Sequence, residues 1–185
     1  MGLQRAERSA KDFQEKVWPV IKDLPQFKDG KLNIVEGTAD GAALDEQHCI
    51  DYQVIYPITG EVHGIMSRIQ YDEDYQSFTL RCQRQDMDEE CVEWSKLCRL
   101  RLTNDIRPKW TVQAYMTSQW PTRRISVGII ETDKLILKMA CGGLPLKTLI
   151  SHDEDGRWAR AYIADWAKLG SDVTIKSQSY VTAIV

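Results

Sequence analysis

The run from Ile50 to Gln70 constrains this chain more than any other stretch. Residues 50–56 alternate apolar and polar, Pro57-Ile58-Thr59-Gly60 is turn chemistry, and residues 61–70 resume a β-type pattern. Two such runs joined by a short Pro/Gly turn predict an antiparallel hairpin. In the first strand Ile50, Tyr52, Val54 and Tyr56 share one face and Asp51, Gln53 and Ile55 the other. In the second, Gly64, Met66, Arg68 and Gln70 share a face. The hairpin thus brings an acid at the start of one strand towards a cation and an amide late on the next.

The rest of the chain is read around that hairpin. Ser9 can cap a helix from Ala10 to Leu24, with Phe13, Val17, Ile21 and Leu24 on one face, kinked or divided at Pro19. Lys31 to Glu36 reads as a short strand, and Gly37 to Gln47, small and polar, as a loop. Phe78 to Cys82 is a strand with Thr79 and Arg81 on its polar side. Asp86 to Leu102 carries Met87, Cys91, Trp94, Cys98 and Leu102 at helical spacing, with acids at its start and Arg99 and Arg101 at its end, matching the macrodipole. Strands follow at Trp110–Met116 and Ile125–Ile130. Thr132–Ala140 and Trp158–Leu169 fit helix or strand, and Val173–Ser177 is a last strand. The order predicts a mixed α/β fold with a central sheet flanked by helices and a C-terminal extension, in a single domain spanning 1–185.

Composition narrows the function classes. No apolar run approaches the roughly 20 residues that span a bilayer, and residues 1–9 lack an apolar signal core. No membrane association and a cytoplasmic location are therefore expected. The five cysteines form no Cys-x-x-Cys pair and the three histidines are scattered, which argues for buried thiols rather than zinc. Charge is uneven. Asp29 to Gln76 is strongly acidic, while Trp94 to Arg124 carries Lys96, Arg99, Arg101, Arg107, Lys109, Arg123 and Arg124 against Asp105 alone. Clustered cations suit a phosphate-binding surface. Arg107, Lys109, Arg123 and Arg124 are the candidate nucleic-acid-binding residues, with Trp110, Tyr115 and Trp120 as possible base-stacking platforms. Chance clustering on a solvated face and core tryptophans are the plainer readings of the same residues.

The order of elements and the hairpin's residues resemble the PD-(D/E)XK, or restriction-endonuclease-like, superfamily over about two-thirds of the chain. Ile50-Asp51-Tyr52 looks like its Asp-bearing strand, Gly64–Arg68 like its acid-x-Lys strand, and Glu15 like the extra acid some members keep on the first helix. The resemblance implies a metal-dependent nuclease acting on phosphodiesters, with nucleic acid as partner and magnesium as cofactor. It implies Asp51, Arg68 and Gln70 as catalytic residues and Asp51 with Glu36 as metal ligands. The sequence departs from the pattern where it matters. With Arg68 in the lysine place the acid place is Met66, which cannot ligate a hard cation. A second carboxylate must come from outside the motif, from Glu36, Asp45 or Glu46. The alternative implied by that departure is a nuclease-fold protein without catalysis, binding nucleic acid or a protein partner, as a phage-type inhibitor or accessory protein would. Asp51 as a simple turn cap, or in a salt bridge with Arg68, is the structural reading of the same residue.

Overall fold

Gly60 closes the hairpin turn at φ +72°, a backbone angle that glycine adopts without strain. The computed structural model describes residues 8–35, 39–71, 73–85, 87–119, 122–141, 147–152 and 156–181. In it β2 (Tyr52–Ile55) pairs antiparallel with β3 (Val62–Tyr71), Tyr52 opposite Ile65 and Ile55 opposite Val62. β1 (Lys31–Ile34) adds outside β2. β5 (Trp110–Gln119) lies parallel to β3, followed by β6 (Thr122–Glu131) and β9 (Thr174–Val181), both antiparallel to their neighbours. The six-stranded order is β1-β2-β3-β5-β6-β9.

β4 (Ser77–Arg84) leaves this sheet. It pairs with β8 (Trp158–Asp165), which pairs with β7 (Lys147–His152), in a second sheet of order β4-β8-β7. The predicted mixed α/β sheet flanked by helices stands, but as two sheets rather than one. The link from β3 to its parallel neighbour β5 runs through β4 and α4 (Glu93–Leu102), as a parallel pair demands a long crossover.

Helices cover both faces. α1, described over residues 8–12, continues into a π-turn (Phe13–Val17) and α2 (Trp18–Ile21). The π-turn, with Trp18 N–H donating to Phe13 O, sits directly before Pro19. Proline lacks an N–H and crowds the carbonyl four residues back, so the helix widens and is divided there, as the sequence predicts. The predicted stripe holds: Phe13, Val17, Ile21 and Leu24 pack on Tyr52, Val54, Ile65, Ile69 and Val127 of the large sheet. The opposite face carries Met66, Tyr115 and Ile130. It meets Phe78 and Leu80 of β4, Leu97 of α4, Leu135 of α5 (Thr132–Ala140) and Trp166 of α6 (Trp166–Leu169). No helix among the described residues is long and apolar enough to cross a membrane.

Two expectations change. The segment read as a loop holds α3 (Ala39–His48), whose alanines favour helix although no apolar stripe marks it. α4 begins at Glu93, not Asp86, because buried Val92 is extended at ψ 153° and breaks the run. Its buried residues are Leu97 and Leu100, while Leu102 and Met87 lie exposed.

Candidate functional site

Alternation along β3 sends Ile65 and Ile69 into the core under α1 and α2, and Met66, with Arg68 on the same face, towards the second sheet. Arg68 emerges where β4 and α4 pass over that face. Its Nη2 donates to Glu93 Oε1. Glu93 stands in the first turn of α4 and also accepts, at Oε2, the main-chain N–H of Arg81 on β4 at 2.9 Å. Arg81 Nε lies 3.6 Å from Oε1. One carboxylate therefore gathers a strand of each sheet onto one helix. The Arg68 and Glu93 side chains are 20% and 23% exposed and Arg81 is 44% exposed, so the cluster opens on the Arg81 side.

Asp51 lies at the edge of this cluster. It immediately precedes β2, its N–H donating to Ile65 O at 2.9 Å. Its Oδ2 accepts the Ser67 N–H at 2.5 Å, taking the place of the backbone carbonyl that β2 would supply had it begun earlier. Burial pushes the Asp51 carboxyl up to about 8. The Ser67 N–H opposes that shift, the charges of Asp45 and Glu93 add to it, and Arg68 opposes it again. Burial also raises Glu93, but Arg68 and Arg81 outweigh it and hold its carboxyl below the ordinary value. Burial lowers the Arg68 guanidinium, against the pull of Glu93.

Neighbouring groups complete the surroundings. Lys96, one turn along α4, donates to the Glu46 carbonyl near the end of α3. Burial raises the Asp45 carboxyl, with Lys96 pulling the other way. Burial drives the Cys49 thiol up to about 12, with Glu93 adding to it, which removes this cysteine from nucleophilic chemistry.

The residues singled out from the sequence divide. Asp51 and Arg68 come from adjacent chain segments and attract one another, as the hairpin predicts, but Arg68 bonds to Glu93 and not to Asp51. Gln70 stays apart, two residues further along β3 beside Tyr115, its Oε1 buried with no hydrogen-bond partner. Glu36 lies outside the described residues. The sequence reading missed Glu93, the first residue of α4, hidden behind the run of acids that precedes it. Its flanking Val92 and Trp94, large apolar residues beside an acid, were the available signal.

The proposed cationic surface is split. Arg107 forks onto Asp133, Nε to Oδ1 and Nη2 to Oδ2, both at 2.9 Å. Lys109 Nζ lies 2.9 Å from His63 Nε2. Arg124 is exposed but pairs in register with Thr117, about 25 Å along β5 from Lys109. The Arg123 side chain and Trp120 lie outside the described residues. Trp110 packs on Phe27 at 5.7 Å, and Tyr115 is fully buried with its hydroxyl donating to Ser77 O, so neither is a base platform.

A magnesium ion takes one or two protein carboxylates and completes its shell with water. Asp51 and Glu93 meet that need in donor type, and Asp51 Oδ1 takes no hydrogen bond among the described residues. Among those residues no group of three or more His, Cys, Asp or Glu side chains could hold a metal ion. No protein-family model, curated protein or solved structure matches the chain.

Proposed function

We propose that the chain is a divergent metal-dependent nuclease acting on nucleic-acid phosphodiesters. The observation that supports this is that Asp51, Arg68 and Glu93, from three separate elements, lie close enough to act on one another's charge, largely covered and open to solvent beside Arg81. Glu93 supplies the carboxylate that Met66 denies to β3. An ion held by Asp51 and Glu93 would supply Lewis-acid polarisation of a phosphate and a more acidic water. Arg68, held in a fixed direction by its packing against α4, offers a guanidinium to the charge that develops on the phosphate oxygens. Asp51 is oriented by the Ser67 N–H, so one of its oxygens is fixed and the other is presented.

A second reading has its own observation. Both Glu93 oxygens are already engaged by Arg68 and Arg81, as they would be in a nuclease-like scaffold that binds without cutting. Cleavage of end-labelled DNA and RNA with Mg²⁺ and Mn²⁺ decides between them. The nuclease reading expects metal-dependent cutting that Asp51→Asn reduces by several orders of magnitude without loss of the fold. A wild-type chain inert on both substrates with both metals leaves the binding module.

A further inference from the structure

We infer that the pocket holding Glu93 is a phosphate-binding site, filled by the protein's own carboxylate until a phosphate displaces it. Three groups converge there: Arg68 Nη2 donates to Oε1, the Arg81 main-chain N–H donates to Oε2, and the Arg81 guanidinium pairs with Oε1 across 3.6 Å. Two guanidiniums and a backbone amide are the donor set by which proteins hold phosphate oxygens, each guanidinium presenting a planar fork. Stability is a poor account of the arrangement. Largely covered ion triads of this kind return little more than their desolvation costs, and apolar residues of like volume often serve better. The exposure is graded as an entry path requires: Arg81 is 44% exposed, Arg68 and Glu93 about half that. An incoming anion meets Arg81 first and reaches Arg68 only by replacing Glu93.

Glu93 reaches its three partners through a flexible side chain, so in this proposal the carboxylate can swing out while α4 stays in place. Released, its carboxylate stays on the first turn of α4, near Asp51. The inference rests on the nucleic-acid reading only in taking a phosphodiester as the source of the phosphate.

The test is equilibrium binding in EDTA, reading anisotropy of a fluorescein-labelled single-stranded DNA dodecamer, with inorganic phosphate as competitor. Glu93→Gln frees both guanidiniums and is expected to raise affinity about tenfold, the worth of one charge-assisted contact. Phosphate should displace the dodecamer from this variant, placing the gain at a single phosphate group and not along the strand. Arg81→Gln is expected to weaken binding about tenfold and lower the salt slope by about one contact, and to cancel the gain when combined with Glu93→Gln. A Glu93→Gln chain with native near-ultraviolet dichroism and no gain in affinity overturns the proposal. Should Glu93→Gln not fold, Arg81→Gln carries the test, and affinity equal to wild type, nil included, overturns it. The two readings fail separately. A chain that binds in this pattern but never cuts loses the nuclease assignment alone, and one that cuts while Arg81→Gln binds as wild type loses the phosphate pocket alone.

Discussion

Gly128 on β6 lies under the Trp166 ring. A Cβ placed there would stand 2.2 Å from Trp166 Cε2. The ring also packs edge-on against Tyr115 at 5.6 Å and tilted on Phe78 at 5.8 Å, so it has nowhere to retreat. Gly128→Ala is therefore expected to cost about 1–3 kcal/mol by overpacking, read from the urea midpoint; an unchanged midpoint would mean that α6 is free to lift. The glycine is visible in the sequence, but its reason is not, since Trp166 reaches it only after the chain has passed through two sheets. The same limit applies to Glu93. Its identity was legible, and its engagement with Arg68, 25 residues away in sequence, was not. Asp51 could be singled out because its setting is local, a strand-opening acid beside a hairpin partner, but the Ser67 N–H that it accepts two residues beyond its own pairing point was not read.

At the level of elements, the Arg107–Asp133 fork fastens the segment before β5 to the first turn of α5. The hydrogen bonds from Arg107 hold the Asp133 carboxyl below the ordinary aspartate value, and burial opposes this only in part. A carboxyl depressed in the folded state stabilises the fold above its unfolded value, near pH 4, and loses that contribution as pH falls through the folded value. Asp133 is 43% exposed, so the contribution is about 0.5 kcal/mol. Urea titrations of wild type and Asp133→Asn are expected to differ by about that amount at pH 6 and to coincide near pH 2. A gap that persists at pH 2 would assign the effect to packing. Elements with their own periodicity were readable: the hairpin by its alternation and turn, the first helical segment by its 3.6-residue stripe. α3 was not, because helix propensity without an apolar stripe resembles a loop, and the start of α4 was not, because the acids before Val92 look like helix-opening residues whether or not they are helical.

For the whole molecule, sheet membership is where local pattern gives out. Phe78–Cys82 reads as a strand equally well in either sheet, and only its docking on β8 removes it from the large one. That departure carries Arg81 across to the face where Arg68 emerges, so the candidate site exists because the strand order is broken there. The alternation of the hairpin could point to Asp51 and Arg68, but a site spanning two sheets and a helix is a property of the assembled fold. One feature of that assembly gives the molecule an optical gauge. Trp94 follows Glu93 on α4 and meets the Tyr162 ring of β8 edge-on, 5.2 Å between centroids. Anything that pulls Glu93 from its two arginines changes the charge and packing beside the helix turn on which Trp94 rides, and so the surroundings of its ring. Occupancy should then be readable as a shift in intrinsic emission with no label attached, and Trp94→Phe should silence it while the other five of the six tryptophans stay dark to the event.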